Sequence, residues 1–199
     1  MNKAVVYIHG KSGTPEEAAH YEKLFENCHI IGFDYHAQSP WEAKEEFPVF
    51  FADVCQKYES VSLIANSIGA YFAMHALPDL PIERAFFISP VVNMEKLISD
   101  MMTWASVTEE ELYDKKEIQT AFGETLSWAY LCYVRAHPLT WKIPTHILYG
   151  GKDTLTSYET VSEFANRIHA SMTLMENGEH WFHTEEQMRF LDNWMQRLI

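Results

Sequence analysis

Ser67 stands in Ala65-Asn66-Ser67-Ile68-Gly69, directly behind the apolar run Val61-Ser62-Leu63-Ile64. A serine hydroxyl is a poor nucleophile at neutral pH. It needs a base within reach and a position that exposes it. A strand that turns sharply into a helix supplies the position, because it lifts the serine above the sheet. Small residues two places before and after it, here Ala65 and Gly69, let strand and helix backbones pass closely. The spacing therefore marks Ser67 as a candidate nucleophile.

A serine nucleophile calls for three further parts: a base, an acid that orients the base, and donors for the oxyanion of a tetrahedral intermediate. In an α/β sheet all three belong in loops at the carboxyl ends of strands. The last strand-like run, residues 172–175, leads through Gly178 to His180, the candidate base; His183, one helical turn later, is the competitor and is expected to open the final helix. The preceding run ends in Gly150-Gly151-Lys152-Asp153. Asp153 could accept from the His180 ring and fix its tautomer, or simply cap a helix. For the oxyanion, one donor is the amide of Ile68 at a helix N-terminus, where the dipole favours negative charge. The other is the amide of Lys11 in the loop His9-Gly10-Lys11-Ser12-Gly13. Tyr35, His36 and Gln38, after the second run, could contribute to a rim or stand as a solvated loop.

These loops require a particular scaffold. Short apolar runs at residues 4–9, 30–34, 61–66, 84–89, 145–149 and 172–175 are near-continuous, as in parallel strands covered on both faces. Helical patterns alternate with them. Thr14-Pro15-Glu16-Glu17, Ser39-Pro40-Trp41-Glu42 and Thr156-Ser157-Tyr158-Glu159 read as three helix starts with a capping residue and Glu in the first turn. The expectation is an α/β chain with a mostly parallel six-stranded sheet and helices on both faces. Residues 92–138 break the alternation without a convincing strand, which predicts two or three inserted helices, rich in Met and aromatic residues, that could cap the sheet and wall an apolar pocket.

A chain of 199 residues fits one domain. Its formal net charge of −13 argues against nucleic acid and anionic membrane surfaces as partners, since both are polyanions. No run is long and apolar enough to span a bilayer, so stable membrane anchoring is not expected. The first residues enter a strand-like segment without the apolar core of a signal peptide. Cys28, Cys55 and Cys132 have no metal or redox spacing and read as reduced packing residues. The expected setting is cytoplasmic. Oligomeric state is left open.

The loop His9–Gly13, the elbow Asn66-Ser67-Ile68-Gly69, Asp153 and His180, in that order, resemble the α/β-hydrolase superfamily. The resemblance extends over residues 1–199 as one domain, with the insertion at about 92–138 least constrained. It implies a trimmed sheet lacking the first two of the full eight strands, with nucleophile Ser67, acid Asp153, base His180 and oxyanion amides from Lys11 and Ile68. Ala65 departs from the glycine most common at its position, and Asn66 from the frequent histidine. The activity implied is that of a serine hydrolase on an ester-type small molecule, an ester or thioester, with no cofactor and no metal. The alternative is a ligand sensor on the same fold, with weak or no turnover. A metal hydrolase lacks support, because His180 and His183 are too sparse a ligand set. A nucleotide-binding domain lacks the Gly-x-Gly-x-x-Gly spacing in the first βα turn.

Overall fold

The computed structural model describes residues 2–199. Six strands form one sheet: β1 (Lys3–Ile8), β2 (Cys28–Gly32), β3 (Ser60–Asn66), β4 (Arg84–Ile88), β7 (Thr145–Gly150) and β8 (Ser171–Met175). Their spatial order is β2-β1-β3-β4-β7-β8, and every neighbouring pair is parallel. The expected sheet is therefore present, with strand ends within two residues of the sequence reading. Between these strands lie α1 (Pro40–Lys57), α2 (Ser67–Ala76) and α6 (Tyr158–Arg167), and α7 (Glu185–Gln196) closes the chain.

Alternation within strands builds two apolar faces. Val5, Tyr7, Ile64, Phe86, Ile88 and Leu148 share one core with Tyr21, Phe25, Leu191 and Trp194. That core joins the sheet to α7 and to the helical turn after β1. Val6, Ile8, Leu63, Phe87 and Ile147 are buried on the opposite parity. There Gly69 of α2 lies against Ile8. Helices on both faces follow from strands that are apolar on both sides.

The caps are largely as read, with two differences. Ser39 accepts from the Glu42 amide at 3.3 Å, as a capping serine should. The cap of α6 is Ser157, which accepts from the Thr160 amide at 3.2 Å. Thr156 is one residue too early and serves Asp153 instead. The segment Pro15–Lys23 is a 3-10 helix, and Thr14 makes no side-chain cap hydrogen bond. Its nine residues wind at three per turn, which places every third side chain on one line.

Residues Asn93–Leu139 form a second compact unit; the rest of the described chain forms the first. The second unit holds α3 (Met94–Trp104), α4 (Glu109–Lys115) and α5 (Trp128–Ala136), together with an antiparallel pair, β5 (Glu117–Gln119) and β6 (Thr125–Ser127). Two or three helices were expected here, and three are present. The hairpin was not expected, because two three-residue strands offer only Ile118 opposite Leu126 as an apolar signal. Within this unit Arg135 ties α5 to Glu95 and Glu109 at 2.7 and 2.6 Å. The cysteines are all free, and Cys132 is exposed rather than packed. Among the described residues, no helix is long and apolar enough to cross a membrane.

One strand residue carries a pH expectation. His146 on β7 stacks on Phe86 and meets Ser171 Oγ of β8 at 2.6 Å. Burial, and then the Arg84 charge, hold its pKa below the usual histidine value. The unfolded chain therefore takes up this proton first, so stability is fully present above the ordinary histidine pKa and falls as pH drops below it. Because the ring is partly exposed, the effect is small. Thermal melts between about pH 7 and pH 5 should show a shallower decline for His146→Gln than for the parent. Parallel curves would contradict the assignment.

Candidate active site

The strand order reverses at β1. The chain places β2 on one side of it and β3 on the other. The loops leaving β1 and β3 therefore separate at their carboxyl ends and open a crevice. Ser67 sits at that point as the first residue of α2, immediately after β3. Its φ is 49°, in the left-handed region that a serine enters only when the surrounding fold holds it there. The strand-to-helix turn proposed from sequence is thus formed, and Ser67 is the residue strained within it. Gly69 explains how the helix start fits: a Cβ on it would lie 2.3 Å from the His9 carbonyl oxygen. A Cβ on Gly10 would lie 3.3 Å from Ser67 Cβ, so the β1 loop passes directly beside the serine.

The loops after β7 and β8 bring in the other two side chains. His180 Nε2 lies 2.8 Å from Ser67 Oγ, and His180 Nδ1 lies 2.7 Å from Asp153 Oδ2. The Asp153 side chain is fully buried. Its Oδ1 accepts from the amides of Leu155 (2.7 Å) and Thr156 (3.1 Å), and its Oδ2 also accepts from Thr156 Oγ1 (3.1 Å). A carboxylate with all these donors is acceptor-only, so Nδ1 of His180 carries the proton toward it. In the neutral ring, Nε2 is then left as an acceptor for the Ser67 hydroxyl.

Backbone contacts fix how the two loops meet. A Cβ on Gly150 would stand 2.5 Å from the Glu179 carbonyl oxygen, and one on Gly151 2.5 Å from that of Glu176. Glycine is needed because the β8 loop lies on the end of β7. The Gly151 amide donates to Met175 O, and the Lys152 amide to Gly178 O, both at 2.8 Å. Tyr149 reinforces the turn by donating to Thr156 O at 2.7 Å. Burial first, and then the charges of Asp153 and Glu159, push that phenol up to about 12, so it stays a donor.

Of the two candidate oxyanion residues, Ile68 follows the serine in the chain and Lys11 shares its cleft. Ile68 lies in the first turn of α2, where helix geometry provides no intrahelical acceptor for the amide. Lys11 lies in a turn closed by the Gly13 amide on Gly10 O at 3.1 Å, with Ser12 at φ 62°. Lys11, Ser67 and His180 all line one cleft of about 730 Å³. Its apolar side comes from Ile88, Leu155, Phe182, Met188 and Leu191, with Trp181 exposed at the edge. The apolar lining was expected from residues 92–138. The residues named here all belong to the first unit.

Other expected residues take different places. His183 does not meet Ser67. Its Nδ1 lies 2.7 Å from Trp181 O, its ring stacks on Trp181, and α7 begins two residues later behind the cap Thr184. Tyr35 is buried and donates to His9 O at 2.9 Å, stacking on the His9 ring, so it supports the β1 loop. The backbone amides of His36 and Gln38 bond to Glu46 and Glu42 of α1, and neither residue lines this cleft. Sequence reading missed Thr156 as a support of Asp153, and Tyr7 and Glu17 as cleft residues. The 3-10 winding that sets Glu17 at the cleft left no separate mark in the sequence.

No protein-family model and no curated protein matches the chain. Solved structures do. Alpha/beta hydrolase domain-containing protein 10 from mouse superposes with a TM-score of 0.78 at 16% identity, over 98% of this chain and 88% of that one. Est1E from Butyrivibrio proteoclasticus gives 0.76 at 13%, over 99% and 86%. An esterase from Pyrococcus furiosus gives 0.60 at 19%, over 99% and 80%. At these identities the likeness is one of fold, and the fold is that of the α/β-hydrolase superfamily.

Proposed function

We propose that the protein is a serine hydrolase that cleaves a small or apolar carboxylic ester or thioester through an acyl-enzyme. The observation that carries this reading is the bridge made by His180, 2.8 Å from Ser67 Oγ and 2.7 Å from Asp153 Oδ2, at the switch point of the sheet. In the proposed reaction Ser67 Oγ attacks the acyl carbonyl while His180 Nε2 takes its proton. The carbonyl π electrons move to oxygen, where the amides of Lys11 and Ile68 hold the charge. Collapse of the tetrahedral intermediate expels the alcohol or thiol, which leaves with the proton from His180. Water then repeats the cycle: His180 removes its proton, the acyl–Ser67 bond breaks, and Ser67 recovers its hydrogen. Asp153 remains a carboxylate throughout and stabilises the imidazolium. Names of fold neighbours that include esterases agree with this class. We also place the protein in the cytoplasm, where three free cysteines would stay reduced.

The test is labelling with a fluorophosphonate, which reacts with an activated serine without requiring the natural substrate. Mass spectrometry is expected to locate one adduct on Ser67. Its absence, or an adduct on another residue alone, would overturn the proposal.

A further inference from the structure

The cleft beside Ser67 has polar lining residues that the proposed chemistry does not use. On the 3-10 helix, Glu17 and His20 are three residues apart, so they share one face, and both line the cleft. His20 is anchored by Asp192 of α7 at 2.7 Å. Glu17 is joined to the elbow through two hydrogen bonds. Asn66 Nδ2, on the residue before Ser67, donates to Tyr7 Oη at 2.8 Å, and the Tyr7 hydroxyl donates to Glu17 Oε2. The direction of the second bond is fixed. Burial, with the neighbouring Tyr21 and Glu17, pushes the Tyr7 phenol far up, so it keeps its proton and a carboxylate can only accept it.

Among the described residues, the Tyr7 hydroxyl is the one side-chain donor to the Glu17 carboxylate. An ionised carboxylate can take about four hydrogen bonds. Exposed in the cleft, Glu17 therefore retains acceptor capacity, and the Tyr7 bond holds one of its oxygens in place. The cleft thus brings apolar side chains (Ile88, Leu155, Phe182) and a fixed negative acceptor together with Ser67.

We propose that Glu17 is a specificity residue: the cleft selects esters whose apolar part ends in a hydrogen-bond donor, a hydroxyl, which the Glu17 carboxylate accepts. This rests on the serine-hydrolase reading. The donor contributes through positioning, because a substrate held at its far end presents its carbonyl to Ser67 with less freedom to lose. A methyl ether of the same length displaces water from the carboxylate and offers no donor in return, which a site built on a hydrogen bond penalises.

The experiment compares matched esters. Ethyl 3-(4-hydroxyphenyl)propanoate and its 4-methoxy analogue place the group on the acyl side. The acetates of 2-(4-hydroxyphenyl)ethanol and of its methyl ether place it on the alcohol side. In at least one pair the parent is expected to favour the hydroxyl ester by roughly tenfold or more in kcat/KM, the scale of one hydrogen bond to a charged group. In Glu17→Ala that ratio should fall close to one, while the rate of fluorophosphonate labelling at Ser67 stays near the parent value. Glu17→Gln keeps the shape of the side chain and carries the test if the alanine variant does not fold; its ratio should fall at least threefold. A ratio unchanged by both variants, or a parent without preference in either pair, would overturn the role of Glu17 while labelling at Ser67 persists. Absence of labelling in the parent would instead mark failure of the hydrolase reading itself.

Discussion

Ser67→Ala is expected to lower turnover of any accepted ester by roughly 10⁴-fold or more, with the melting temperature within a few degrees of the parent. The loss is large because Ser67 Oγ supplies the bond-forming atom, and the bridge through His180 has no second hydroxyl to serve in its place among its observed contacts. Stability should change little. Alanine keeps the Cβ, so the strain of the 49° φ is neither added nor relieved. What disappears is one hydroxyl at a partly exposed position. His180→Ala should lose a comparable amount. The double variant should lose no more than the worse single one, since nucleophile and base act as a unit. Steady-state kinetics on a p-nitrophenyl ester check all three. A Ser67→Ala protein within tenfold of the parent would remove Ser67 from the mechanism. A parent that binds esters tightly yet turns none over would point to a sensor.

The parts of this site that were legible in the sequence share a physical origin. Ser67, Asp153 and His180 each follow a strand whose run of apolar residues marks its end clearly. The rules for parallel sheets then place those ends on one edge. Ala65 and Asn66, unusual in the elbow, do not prevent the turn. Ala65 is fully buried, and Asn66 donates to Tyr7. What stayed illegible depends on exact approach between backbones or on helix type. Gly150 and Gly151 could be read as a turn, but not as the seat of the β8 loop. Thr156 looked like a helix cap because the next residue, Ser157, offers the same chemistry one place later. Glu17 read as the first-turn glutamate of a capped helix. Its place in the cleft depends on a 3-10 winding and on Tyr7 beneath it, and Tyr7 reads in sequence as one more buried strand residue.

Gly69→Ala is the sharpest test of how the elbow is held. The added Cβ would meet the His9 carbonyl oxygen at 2.3 Å and that of Ile8 at 3.0 Å. Both are backbone atoms of β1 or its loop, so no side-chain rotation relieves the contact. The His9 carbonyl is further held by the Tyr35 hydroxyl at 2.9 Å. Either α2 must draw away from the sheet or the His9–Gly13 loop must shift, by about 1 Å in either case if an ordinary contact is to be restored. Overpacking of this kind costs about 1–3 kcal/mol. For a chain of this size that corresponds to a fall in melting temperature of roughly 3–10 °C. The same displacement separates the Lys11 amide from Ser67, and a misplacement near 1 Å at a reacting centre costs on the order of 100-fold. The expected variant is folded, less stable and about two orders of magnitude slower in both ester turnover and fluorophosphonate labelling. Gly10→Ala is the comparison, because its Cβ would approach nothing closer than Ser67 Cβ at 3.3 Å, a contact that a small shift accommodates. It should melt nearer the parent than Gly69→Ala. If the order were reversed, or if Gly69→Ala kept parental stability and rate, close passage of α2 over β1 would not be what positions the nucleophile.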